Sequence, residues 1–181
     1  RNMGLNANSG AASLQQYGMP AHTVAGTGSQ VAKAEGPFTY YQTAGTLNDA
    51  KGITTEQLTQ PRWFPHATFM IYSEPTLITL MRCWVGLSDL NPSGADNIAA
   101  HIAAFRFSTA VPDTNWMCYH NDGAGAGTAF DSGIVFAVDT YYKLELELGG
   151  TYIRYLINDV LVYTATTDLP GTTTGMNGYI R

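Results

Sequence analysis

Glu145 and Glu147 stand two apart in the run Lys143-Leu144-Glu145-Leu146-Glu147-Leu148. On a strand that spacing puts both carboxylates on one side, roughly 7 Å apart. Two such groups can share acid and nucleophile roles in glycoside hydrolysis. The catalytic strand of β-sandwich glycosidases reads Glu-x-Asp-x-Glu, and here Leu148-Gly149 stands where a third carboxylate would follow. A charged outer face alternating with a leucine core face explains every residue of the run, so the reading is no enzyme and no catalytic residue.

Gly123, Gly125 and Gly127 form a G-x-G-x-G run after Asp122. A phosphate-cradling loop needs a helix N-terminus behind it, and Thr128-Ala129-Phe130-Asp131 is strand-like instead. His22, His66, His101 and His120 show no zinc-type spacing with acidic partners. Asn121, Asp122 and Asp131 are calcium-competent residue types, but turn acids are ordinary at such a place. No G-x-S-x-G elbow exists for Ser-His-Asp chemistry. The reading is therefore no metal and no cofactor. Aromatic rings can stack on sugars, although most serve the core. Trp116 and Tyr119, beside the tip that carries Asn121 and Asp122, are the exposed pair expected to contact a glycan.

These candidates must be held by strands. Tyr142, Leu144, Leu146 and Leu148 alternate with Tyr141, Lys143, Glu145 and Glu147, a period of two. Gly149-Gly150 and Asn158-Asp159 are read as two-residue turns, since both pairs tolerate left-handed backbone. Residues 141–166 thus form a three-stranded meander. Strands are expected from Ala67 and over 76–88, at 103–108, at 116–120, and in pieces at 128–131 and 133–138. Residues 98–108 also fit a helix face. Thr54 to Gln57 reads as a short helical turn stopped by Pro61, with Trp63, Phe64 and Pro65 packing on the edge of the main sandwich. Residues 88–97 and 168–171 read as loop and turn. Short strands at 8–12-residue spacing indicate an all-β jelly-roll sandwich.

The 181 residues suffice for one core without disulfide staples. Cys83 and Cys118 read as two buried free thiols or, alternatively, one bridge. Residues 1–36 are small and polar, too poor in apolar side chains for a core face, and read as an extended arm before a sandwich at 37–181. Charged residues make up 13%, about half the roughly 25% usual for soluble domains. A charge-poor surface suits burial against neighbours or an extracellular β domain. The net charge of −5, with no Lys/Arg cluster, argues against nucleic acid. No apolar run approaches the ~18 residues of a membrane span, and the first residues lack a signal-peptide layout.

An ordered set of segments carries a resemblance: Arg82-Cys83-Trp84-Val85-Gly86-Leu87-Ser88, Ala104-Phe105-Arg106-Phe107-Ser108, Asp113-Thr114-Asn115-Trp116, Asp139-Thr140-Tyr141-Tyr142-Lys143-Leu144, Tyr155-Leu156-Ile157-Asn158-Asp159-Val160-Leu161-Val162 and Asp168-Leu169-Pro170. The set resembles the concanavalin A-like (laminin G-like) sandwich domains of tailed-phage virion proteins, over roughly residues 76–170. Two departures stand out. Asp159 replaces the hairpin glycine, and such domains continue for a strand or two past the Leu-Pro turn. The sandwich must then be completed by the N-terminal region or a neighbour, or the sequence is a fragment. The resemblance implies a structural virion protein, a capsid decoration or fibre component. Its implied partners are other copies of itself (a trimer among the options) and virion proteins such as the major capsid protein. The alternative is a carbohydrate-binding, lectin-like module for attachment to a host glycan.

Overall fold

The computed structural model describes residues 22–26, 29–32, 39–42, 51–55, 67–73 and 75–180 (apart from 76, 77, 91, 93 and 94), with side chains from Ser73 to Tyr179. The strands are β1 His22–Gly26, β2 Ser29–Ala32, β3 Thr39–Gln42, β4 Lys51–Thr55, β5 Ala67–Ser73, β6 Arg82–Ser88 and β7 His101–Ser108, then β8 Asn115–Asp122, β9 Thr128–Val135, β10 Tyr142–Leu148, β11 Ile153–Ile157, β12 Val160–Ala165 and β13 Asn177–Ile180. Every pairing among them is antiparallel. One sheet runs β1-β4-β13-β6-β7-β8-β9, the other β12-β11-β10-β5, and β2-β3 pair alone. The described residues contain no helix, so 98–108 resolves as strand and Thr54-Thr55 lie in β4 rather than a helical turn. The edge packing expected of Trp63, Phe64 and Pro65 lies outside the described residues, as do residues 1–21. Strands β1 and β2 fall within the segment read as an arm, and β1 is an edge of the larger sheet.

The sandwich is completed from both ends of the sequence. β1 and β4 come from the N-terminal region, and β13 lies beyond the Leu169-Pro170 turn, between β4 and β6. Sequence patterning missed β13 because its four residues are too few to show a period.

β10 keeps its expected alternation: Tyr142, Leu144, Leu146 and Leu148 face the larger sheet and are buried. Opposite them lie Val85 and Leu87 of β6, Phe105 and Phe107 of β7, and Trp116 and Cys118 of β8. Trp116 is central, 5.6 Å from the Tyr142 ring and 4.7 Å from Phe136. Phe107 and Phe136 stack at 3.8 Å, and Phe105 meets Tyr155 edge-on at 5.4 Å. Burying one such side chain contributes about 1.5–3 kcal/mol, so this layer dominates cohesion. Cys83 and Cys118 are free. They lie on β6 and β8 with β7 between them, two strand spacings or roughly 9.5 Å apart, beyond disulfide reach. Burial pushes the Cys83 thiol up to about 12 and the Cys118 thiol higher still.

The outer face of the larger sheet is also covered. The described residues of 89–100 form a strap across β6, β7 and β8. Arg82 reaches Asp96 with two hydrogen bonds, 2.7 and 2.8 Å. The Trp84 indole N–H donates to the Ala95 carbonyl at 3.2 Å. Arg106 donates to the Asp96 carbonyl at 2.7 Å and holds Asp113 through two further bonds at 3.1 and 3.0 Å. The Arg82 guanidinium holds the Asp96 carboxyl below the usual carboxylate range. Of the stretch 88–97, read as a plain loop, Ser88 ends β6 and Ala95 and Asp96 belong to a structural layer over the sheet.

The two ends of the sandwich differ. Loops 123–127, 149–152 and 166–175 form one, the glycine-loop end. Residues 75 and 78–81 and loops 109–114 and 136–141 form the other, the Leu80 end, together with the Asn158-Asp159 turn.

Candidate functional site

Trp116 and Tyr119 are both fully buried, which corrects the expectation that they form an exposed pair. They alternate on β8, so Trp116 enters the inner core while Tyr119 lies under the strap. The Tyr119 hydroxyl accepts from the backbone N–H of Ile98 at 2.9 Å and of Gly127 at 3.1 Å. Its ring meets Trp84 edge-on at 5.0 Å, and the Arg106 guanidinium lies 5.6 Å from it. Asn121 is buried too. Its amide donates to the Ile98 carbonyl at 2.7 Å and to Gly125 at 3.2 Å, while its oxygen accepts from Gly123 N at 2.9 Å. Asp122 is exposed and caps its own turn through Ala124 N at 2.9 Å. Three of the four glycan candidates therefore build the scaffold of the glycine-rich tip.

The other candidates are spread apart. Glu145 pairs with Lys143 at 3.3 Å and Glu147 with Arg154 at 3.3 Å, on the outer face of the smaller sheet. Asp131 accepts from Asn115 at 2.8 Å and Gly133 N at 2.7 Å, and it sits mid-strand rather than beside Asp122. Among the described residues no group of three or more His, Cys, Asp or Glu could hold a metal. His101 accepts from Gly171 N at 3.1 Å, stapling two glycine-end loops together.

An exposed aromatic stack lies on the flank where the edge strands β9 and β12 meet. Phe130 stacks on Tyr163 at 4.1 Å, 11° from parallel, and keeps 43% of its surface open. One neighbouring polar pair is in place: the Thr128 hydroxyl donates to Asp168 at 3.0 Å. Behind the stack, the His120 ring lies 5.7 Å from Tyr163 and 6.4 Å from Tyr155. The Tyr155 hydroxyl donates to the Tyr119 carbonyl at 2.8 Å. Both His120 nitrogens are buried without a hydrogen-bond partner. Desolvation lowers the His120 pKa below its ordinary value, with Asp168 pulling the other way. Burial raises both tyrosines, Tyr155 well above the usual range. The arrangement offers a flat apolar ring beside a hydroxyl and a carboxylate, which suits a polyhydroxylated ring. Sequence reasoning passed over Phe130, although Thr128 and Ser132 on the same strand face signal an aromatic near solvent.

No family model matches the sequence, and no curated protein matches it. Solved structures do. The chain is similar to the carbohydrate binding module CBM66 from Bacillus subtilis, at 14% identity over 90% of this chain and 88% of that one, TM-score 0.55. It is similar to domain 4 of AbnA, a GH43 extracellular arabinanase from Geobacillus stearothermophilus, solved with arabinotriose, at 12% identity over 88% and 73%, TM-score 0.53. It is also similar to the Bacillus licheniformis β-glucanase, at 11% identity over 87% and 67%, TM-score 0.52. Binding modules and enzymes share this architecture, so the likeness speaks to fold, and by fold the chain is a concanavalin A-like jelly-roll β-sandwich.

Proposed function

We propose that this protein is a carbohydrate-binding module and that its site is the Phe130–Tyr163 flank. The observation that carries the reading is the stacked, half-open Phe130 ring with Thr128 and Asp168 at its side. A sugar presents C–H bonds to an aromatic face and hydroxyls to a rim of acceptors, and this flank provides both. The named binding domains of the same fold, CBM66 and the arabinotriose-bound domain 4 of AbnA, support the class. Titration calorimetry with arabinotriose and β-glucan oligosaccharides tests it. Saturable binding that weakens at least ~10-fold in Phe130→Ala is expected. No binding at millimolar sugar, or equal binding by the variant, removes the reading.

A second reading is a structural component of a bacteriophage virion, on the capsid or in a fibre, acting through contacts with its own copies and with capsid protein. The ordered segments over residues 76–170 and the charge-poor composition favour it. The two readings meet in a host-attachment module. Solution mass and glycan binding, measured on the same chain, separate them.

A further inference from the structure

Exposed large apolar side chains are gathered at one end of this molecule. Ile78, Leu80, Val111, Val138 and Tyr141 lie in loops of the Leu80 end, and Val135, Val160 and Leu161 lie on the strand ends beside them. Among the described residues, only Leu90 and Phe130 of this exposed class lie elsewhere. Backbone bonds join the loops concerned into one surface. Thr109 N donates to the Met81 carbonyl at 2.9 Å, Phe136 N to Thr114 at 3.1 Å, and Asp139 N to Pro75 at 2.8 Å. Leu80 is the extreme case. It is 91% exposed and holds left-handed backbone at φ 52°, a conformation that costs a leucine energy. The fold thus holds a strained residue in place and leaves its apolar side chain in water.

We propose that the Leu80 end is a self-association surface, where a second copy of this chain docks end to end about a two-fold axis. Two features select that occupant. The first is size: these side chains offer on the order of 600 Å² of apolar surface, at the top of what monomers leave exposed. That approaches the ~800 Å² per partner of a specific interface. The second is charge. A two-fold interface brings the same patch together from both copies, so the patch must complement itself, as apolar side chains do and a net charge of one sign does not. Among the described residues the cations near this end are held within the chain: Lys143 by Asp159 and Glu145, Arg106 by Asp113, and Arg82 by Asp96. Asp139 is exposed beside Val138, so the docked pair must hold it away from the two-fold axis. The interface does not depend on the carbohydrate reading. It would leave both Phe130 flanks free, each toward the far end of its copy, and so make any ligand contact bivalent.

Sedimentation velocity on the full chain, from about 1 to 200 µM, tests the proposal. The wild type should pass from monomer to dimer within that range. Leu80→Asn and Leu161→Glu should each weaken the dimer at least ~10-fold, and Leu90→Asn should leave it unchanged. Asn tolerates left-handed backbone, so Leu80→Asn should also raise the thermal midpoint of the dilute monomer, which separates lost association from lost folding. A monomer throughout the range overturns the proposal, and so does a closed trimer. It is equally overturned by a dimer indifferent to both substitutions, or by a monomer that instead co-sediments with phosphatidylcholine vesicles.

Discussion

On the outer face of β8, Tyr119 and Asn121 have their polar atoms engaged by Ile98, Gly123, Gly125 and Gly127. On the inner face of the same strand, the Trp116 indole N–H and both His120 nitrogens are buried without a partner. The strand alternates, so a single backbone serves both. The difference lies in what covers each face. The strap is irregular chain whose backbone N–H and C=O groups are free to meet side chains. The smaller sheet spends its backbone groups on its own ladder and offers the interior mostly carbon. Polar residues under a loop can therefore be satisfied, while those between two sheets depend on other side chains.

The largest effect should come from breaking the satisfied face at its centre. Arg106→Ala strands Asp113 as a buried carboxylate, releases the Asp96 carbonyl and removes the guanidinium from between Trp84 and Tyr119. A loss of about 3–5 kcal/mol in urea unfolding is expected. If the variant were as stable as wild type, the strap would not be a structural layer. Tyr119→Phe is milder. It keeps the ring and removes the hydroxyl that receives Ile98 N and Gly127 N, at a cost of roughly 1–3 kcal/mol. Amide exchange at Ile98 and Gly127 should rise in the variant.

The unsatisfied face yields the smallest change, and pH reads it. His120 has its pKa lowered in the fold, so between its ordinary value near 6.5 and that lower value the unfolded chain binds the extra proton. Stability is therefore full above about pH 6.5 and falls as the solution is acidified, by at most ~1.4 kcal/mol per pH unit. His120→Leu should flatten that slope at little cost near neutral pH. A slope that survived the substitution would assign the acid sensitivity to another group.

These contrasts show why the fold was more legible than the site. The meander could be read because the smaller sheet has one solvated face, and alternation survives there: β10 and β11 interleave buried with half-exposed or exposed residues. Asn158 and Asp159 sit at φ 53° and 66°, the left-handed pair their types suggested. The Gly149-Gly150 turn was misjudged. The loop is four residues long, with Gly149 N bonded to the Tyr152 carbonyl at 2.9 Å. A Cβ on Gly149 would lie 2.6 Å from the Tyr152 ring, so this glycine makes room for a close packing contact rather than a left-handed turn. β7 was ambiguous with a helix because the strap buries its second face, leaving His101–Ser108 nearly continuous in burial. The same cover misled the choice of Tyr119 and Asn121. Neighbouring glycines signalled an exposed tip, but the strap that seats both side chains lies some twenty residues earlier, a distance that local pattern cannot span.

The two thiols have a consequence for how opening of this sandwich can be followed. The thiolate is the reactive form, and burial suppresses it at both Cys83 and Cys118. An alkylating reagent therefore meets an inert interior until the sheets part. Both sulfurs stand between the layers, so their labelling rates act as a stopwatch on layer separation, present in the native sequence and separate from the strap on the opposite face.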